Sequence, residues 1–298
     1  MAVKESDWLG LMADPHLGFT DVQEANIVGI VRSPETYEKD ALGLAIEIGK
    51  ALEAYTQGEF ESNPDSLMAI LVNIFRHLLR LADHARISLK KAAYLNLKKV
   101  SSRWPMEKKF PERFDAGLDE YERFPDQIQI DFIERNVGGK SYVFQKFFGL
   151  TIGDRLSDNR REPDGYSFHD VFHLSYAAIL CWSPVLRALL KLKRKSKPEI
   201  DEAEDGARAI IIEEAIATWI FCRAREQNYF EGLSVLDYSI LKAISQQIRG
   251  FEVDQCPLWL LERAILDGFS IFRLLLHHRS GRVIGDLTNR SLTFQSLT

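Results

Sequence analysis

Two histidines and an aspartate stand together in His169-Asp170-Val171-Phe172-His173. On a helix, His169 and His173 share one face a turn apart, and Asp170, three residues before His173, reaches the same edge. Imidazoles and a carboxylate so placed suit joint metal binding, or an acid that orients an imidazole. Downstream, Glu213 and Glu214 interrupt an apolar run, with Ile210-Ile211-Ile212 before them and Ala215-Ile216-Ala217-Thr218-Trp219-Ile220 after. Carboxylates in such a run are partly buried and need a cation, a metal or hydrogen-bond donors. The economical arrangement packs the histidine helix antiparallel to the glutamate helix around one site. His169, His173 and Glu213 are then the candidate metal ligands, and Asp170, Glu213 and Glu214 the candidate catalytic carboxylates. The expected cofactor is a divalent ion, magnesium or manganese ahead of zinc, which acidifies water and positions phosphate. The plainer alternatives are a structural histidine pair, and glutamates paired with Arg208, Arg223 or Arg225.

Phosphate contacts are expected from two neighbouring stretches. Gly153-Asp154-Arg155-Leu156-Ser157-Asp158-Asn159 reads as a polar loop before the histidine helix, and Lys191, Lys193, Arg194 and Lys195 form a basic run after it. Arginine grips phosphate bidentately and lysine acts as a point charge, so Arg155, Lys193 and Arg194 are the candidates. A solvated charged face is the competing reading.

The elements that must position these groups read as helices nearly throughout. Amphipathic segments cover 40–57, 65–84 and 88–101, the last capped by Ser88. Residues 104–122, with Pro105 and Pro111, have the composition of a connector. Residues 126–136 suit a helix or a short strand, closed by Gly138-Gly139. Further helices are expected at 167–180, 184–193, 234–248 and 257–277. One long helix is expected over 201–227, with Glu202, Asp205 and Glu213 near one stripe. The tail after Arg279 is polar. The resulting expectation is a mainly α protein: an N-terminal helical bundle over 1–105, a connector over 106–139 and a second, mostly helical domain over 140–298.

A chain of 298 residues, 46% hydrophobic and 27% charged, has material for two cores. Its net charge of −5 argues against broad nucleic-acid binding. No apolar run reaches the roughly 20 residues that span a bilayer. Lys4, Glu5, Asp7 and Asp14 leave no apolar secretory segment at the start. Cys181, Cys222 and Cys256 form neither a zinc pattern nor a disulfide framework, and Cys181 and Cys222 read as core residues. A cytoplasmic protein without membrane contact is the expectation.

The first third carries Ile46-Glu47-Ile48-Gly49-Lys50 and Ile70-Leu71-Val72-Asn73. Around them stand Leu42-Gly43-Leu44-Ala45, residues 79–89, and Asn96, Lys99, Arg103, Trp104 and Pro105, with Phe19, Gln23 and Ala25 upstream. This stretch resembles the MazG-like all-α nucleoside triphosphate pyrophosphohydrolases, whose pattern is Glu-Glu-x-x-Glu followed by Glu-x-x-Asp. In that family the acids hold magnesium against the triphosphate, and here Glu47 alone survives at those positions. Lys50 would put an ammonium where the metal sits, so no pyrophosphohydrolysis is expected from this part. The resemblance implies nucleotide contacts from Asn96, Lys99 and Arg103, to which Lys50 could add a phosphate contact. It also implies assembly as a homo-oligomer. A scaffold kept only for packing or dimerisation is an equal alternative.

The second half resembles a domain found C-terminal to MazG-like modules. The likeness runs through Gly153-Asp154-Arg155, the histidine motif, Lys193-Arg194-Lys195-Ser196, Asp205-Gly206-x-Arg208 and Glu213-Glu214. It implies a nucleotide-processing protein, and the residues favour a metal-dependent hydrolase of nucleotides or related phosphate esters. The alternatives are a non-catalytic nucleotide-sensing or regulatory subunit with a partner protein, of the kind found in bacterial anti-phage defence, and a structural dimerisation protein.

Overall fold

A computed structural model describes residue 23, residues 32–58 and residues 64–297. The chain divides into two compact units, Met1–Ser101 and Ser102–Thr298. Phe19 and Ala25 of the expected opening helix, and Lys4, Glu5, Asp7 and Asp14, lie outside the described residues.

In the first unit, helix α1 (Pro34–Thr56) opens on a capping box. The Ser33 hydroxyl accepts the Thr36 N–H, and the Thr36 hydroxyl accepts the Ser33 N–H. Pro34 follows, where a missing N–H costs nothing. Helix α2 (Pro64–His84) packs on α1. Helix α3 (Leu89–Arg103) starts at Ser88, as expected, with the hydroxyl accepting the Lys91 N–H. Leu42-Gly43-Leu44-Ala45 lies inside α1 rather than leading into it. A Cβ at Gly43 would come within 2.4 Å of the His77 ring, so only glycine lets α2 approach this closely. Gln23 ties down the turn before α3, accepting the Leu89 N–H and donating to the Ile87 carbonyl.

The chain is largely helical, as expected, but the second unit adds a sheet that the sequence did not announce. Strands β1 (Gln127–Val137), β2 (Lys140–Phe147) and β3 (Leu150–Leu156) are followed by α4 (Asp170–Leu180), α5 (Pro184–Leu190), α6 (Pro198–Ala203) and α7 (Ala207–Arg225). Helices α8 (Tyr238–Gln247) and α9 (Leu258–His278) and strands β4 (Ser280–Asp286) and β5 (Ser291–Gln295) complete it. The strands form one antiparallel sheet in the order β3-β2-β1-β4-β5, against which α4 and α9 pack. The polar tail after Arg279 is therefore a hairpin in that sheet. Residues 106–139, read as a connector, contain the sheet's central strand.

In β1 the side chains of Ile128, Ile130 and Phe132 are fully buried, and Asp131 between them faces Arg282 of β4 in a two-point ion pair of 2.6 and 3.0 Å. Burying each such apolar side chain contributes roughly 1.5–3 kcal/mol. In β4 a Cβ at Gly285 would meet Ala178 at 2.9 Å, so α4 rests almost on the strand backbone.

The expected long helix over 201–227 is broken. Residues 204–206 leave the helical path between α6 and α7, and Asp205 turns inward instead of lying in a stripe with Glu213. Its partner is Arg194, whose guanidinium donates to Asp205 at 2.8 and 3.0 Å and to Glu252 at 2.9 Å. Arg187 lies beside it, bonded to Asp115 at 2.7 Å and to the Glu122 carbonyl at 2.8 Å. Arg187, Arg194, Asp115 and Asp205 are all at most 1% exposed. Asp115 and Glu122 belong to the supposed connector, which this network pins to the domain.

The network carries an excess of acids, with Glu204 and Glu252 side by side: the Glu252 N–H donates to Glu204 at 3.1 Å. Burial pushes the Glu252 carboxyl up from its ordinary 4.5 to about 7, with Arg194 opposing and Glu204 adding to the rise. A raised carboxyl binds its proton more tightly in the folded state, so its stabilisation is complete below pH 4.5 and is lost as pH climbs through 7. Denaturant titrations across that window should show stability falling more steeply in the wild type than in Glu252→Gln. The expected difference is about 1–3 kcal/mol, and coincident profiles would refute the assignment.

Candidate metal centre

The histidine motif sits at the start of α4, behind a loop that its own carboxylates hold. Asp158 accepts the backbone N–H groups of Asp164, Gly165 and Ser167 at 3.0, 3.2 and 2.7 Å. Gly165 takes the left-handed φ of +85° that lets a single turn of 3-10 helix, Tyr166–Phe168, lead into α4. This brings Tyr166 onto His169 in two ways. The rings stack in parallel, 4.2 Å between centroids, and the His169 Nδ1 lies 2.7 Å from the Tyr166 carbonyl. The Tyr166 hydroxyl is fixed in turn by Thr218 of α7 at 2.6 Å.

His173 is 1% exposed and its Nδ1 lies 2.8 Å from Oε1 of the fully buried Glu213. Glu213 also accepts the Ser183 hydroxyl at 2.6 Å and the Val185 N–H at 2.8 Å, the first donors of α5. Ser183 caps α5 ahead of Pro184 and accepts the Leu186 N–H at 3.0 Å. Asp170 Oδ1 stands 3.0 Å from His169 Nε2, and Oδ2 accepts the side-chain N–H of Gln145 from β2. The ligand-capable atoms of His169, Asp170 and His173 lie within 4.8 Å of one another.

A carbonyl oxygen and an ionised carboxylate can only accept, so each Nδ1 here carries a proton. Each Nε2 then faces a carboxylate: His169 faces Asp170 at 3.0 Å, and His173 faces Glu214 at 3.5 Å. The His173 Nε2 is buried without a hydrogen-bond partner. A bare lone pair opposite a carboxylate is repulsive, so these contacts favour a cation between them.

The electrostatics agree with that geometry. Burial raises the Asp170 carboxyl, but the hydrogen bond and charge of His169, with His173 and Gln145, bring it down to about 2. Burial lowers His173, and the Glu213 carboxylate, with Glu214 and Asp170, lifts it well above the ordinary imidazole value. Glu214 is held below the usual carboxylate range by its contact with His173, against partial burial.

The histidine pair, Asp170 and both glutamates, singled out in the sequence, stand in one place. Glu213 has its oxygens committed to Ser183, Val185 and His173 and stands behind His173, while Asp170 takes the place beside the two imidazoles. Arg208 and Arg223 show no ion pair with the glutamates, and Arg225 reaches Asp164 at 3.0 Å instead.

The phosphate candidates have partners or settings of their own. Arg155 is in strand β3 rather than a loop, with its guanidinium 4.3 Å over the Tyr142 ring. Arg194 is buried in its carboxylate network, and Lys193 is half-buried beside it. In the first unit, Lys50 bonds Glu47 at 2.7 Å and, with Asn73 assisting, holds that carboxyl below its usual range. An ammonium thus stands beside the one acid retained there. Asn96 and Lys99 are exposed on α3. Arg103, taken for a nucleotide contact, belongs to the second unit, where it is 6% exposed and bonded to Glu262 at 2.8 Å and to the Leu236 carbonyl. Cys222, read as core, is exposed.

Gln145, Tyr166 and Ser183 escaped the sequence reading. Only Ser183 carried a local signal, a serine immediately before a proline that starts a helix.

The second unit is thus an α+β domain in which one helix start gathers two imidazoles and a carboxylate, each steadied from a different element. Residues 109–298 match the MazG C-terminal domain, and the chain belongs to that family. No curated protein and no solved structure matches the chain. No single helix among the described residues is long and apolar enough to cross a membrane.

Proposed function

We propose that this chain is a nucleotide-processing protein whose second unit is a divalent-metal-dependent hydrolase of nucleotides or related phosphate esters. Family membership supports the substrate class. The observation that carries the chemistry is the pair of Nδ1-anchored imidazoles turning Nε2 toward carboxylates. His169, Asp170 and His173 would hold the ion. Two nitrogens and one carboxylate suit manganese or zinc better than magnesium, which favours oxygen ligands. When bound, such an ion acidifies water and neutralises phosphate charge. Glu213 keeps His173 in the required tautomer, Gln145 aims Asp170, and Glu214, with 41% of its side chain exposed, is placed to take a proton from water. Metal analysis of the purified chain, repeated on His173→Ala, tests this reading. About one ion per chain, lost in the variant, is expected, and a metal-free wild type that still turns over substrate would defeat it.

The first unit supports a homo-oligomer. Leu42, Ile46 and Leu52 on α1 and Leu71, Val72 and Phe75 on α2 are between 37% and 64% exposed, more apolar surface than a helical hairpin normally leaves in water. Leu42→Asp with Val72→Asp should convert the native species to a monomer by light scattering, with turnover in the second unit kept. An unchanged mass would remove this surface from the assembly.

A further inference from the structure

The sheet has two tight hairpins, and they differ in one respect. Val137 pairs with Lys140 across Gly138-Gly139, and Phe147 pairs with Leu150 across Phe148-Gly149. All four turn residues have positive φ, from 49° to 80°. A two-residue turn of this type calls for glycine, asparagine or aspartate, and an aromatic side chain there is strained. The first hairpin meets the requirement with two glycines. The second places Phe148 at φ +49° and leaves the residue 78% exposed, its ring tilted against Phe147 with centroids 4.4 Å apart. The backbone geometry of the turn disfavours this choice, and strained positions of this kind concentrate at ligand sites.

The two rings border a cavity of about 370 Å³ beside the C-terminal end of α5, with Leu190 and Leu192 as apolar wall. That volume is in the range of small-ligand sites. Two arginines and two acids, Glu120 and Asp126, line it as well. Arg113 is engaged with Asp115 and Asp126 at 3.1 and 2.7 Å. Arg123 is half-buried and has no ion pair or hydrogen bond from its side chain among the described residues. A free guanidinium beside an exposed aromatic shelf offers a flat ring a stacking surface and an anion a bidentate donor.

We propose that this cavity binds a planar aromatic anion, its ring against Phe148 and Phe147 and its anionic group on Arg123, at a site separate from the histidine cluster. Nucleoside 5′-monophosphates carry both features and serve as the probe. Calorimetric titration with AMP, GMP, CMP and UMP, in chelator so that no metal site contributes, should give binding. Ribose 5-phosphate, which lacks the ring, and adenosine, which lacks the phosphate, should each bind at least tenfold more weakly.

Phe148→Asn suits the turn better than the native residue and so should raise Tm by about 2–4 °C while weakening monophosphate binding tenfold or more. Arg123→Gln should weaken the monophosphates and leave adenosine unchanged. His173→Ala should bind as the wild type does, which separates this site from the hydrolase reading. No binding by any monophosphate overturns the proposal. So does equal binding of ribose 5-phosphate, or binding that survives Phe148→Asn and falls in His173→Ala.

Discussion

Arg194→Ala is expected to lower the unfolding free energy by about 3–5 kcal/mol, the usual cost of removing one partner from a buried ion pair. Arg194 is fully buried and holds Asp205 through three bonds, two from the guanidinium and one from its backbone N–H, while also pairing with Glu252. Burial opposes its charge, yet the Asp205 and Glu252 contacts hold the guanidinium more firmly protonated than free arginine. Without it, two carboxylates remain in a low-dielectric interior beside Asp115, with Arg187 as the nearest cation. Urea denaturation measures the effect. A loss below about 1 kcal/mol would mean that water enters the network and that the burial is not what it looks. Arg194→Met, which keeps the stem but not the charge, should be nearly as damaging because the acids stay unpaired.

The second large effect is at His173. His173→Ala should abolish metal retention and reduce hydrolysis of a nucleotide substrate at least 100-fold, since the proposed site would lose a donor whose Nδ1 is already anchored. Glu213→Gln distinguishes a ligand from a holder. If Glu213 only orients His173, the variant should keep a metal site with affinity weakened about 10–100-fold. Complete loss of metal would instead place Glu213 among the ligands. Because His173 is raised well above its ordinary value in the metal-free chain, uptake of the ion at neutral pH should release a proton from its ring. Affinity should therefore climb as pH rises from 6 to 8.

Much of the site was legible because its signals are local. Histidines at i and i+4 share a face in any helix, and a Glu-Glu pair in an apolar run must find a partner. The misreadings came from information carried over long separations. Arg194 looked like part of a solvated basic run because its partners, Asp205 and Glu252, are remote, and Glu252 lies on a different element. Asp205 looked like a helical stripe residue because nothing nearby revealed that Gly206 starts a new helix. A Cβ on Gly206 would lie 2.1 Å from the Glu202 carbonyl, which is why the break falls there. The sheet was missed for a similar reason. The buried alternation of β1 spans only Ile128, Ile130 and Phe132 before Ile133 breaks it and polar residues follow, and its partner β4 is at the other end of the unit.

The three proposed donors come from five consecutive residues, while their holders come from β2, α7 and the loop before α4. The motif alone is therefore a poor search key. Grafted onto another helix, His-Asp-x-x-His would carry the donor atoms but neither tautomer nor aim. A distant protein with this centre would be better recognised by the motif together with a strand glutamine upstream, a glutamate pair inside an apolar helix downstream, and a Ser-Pro helix start between them.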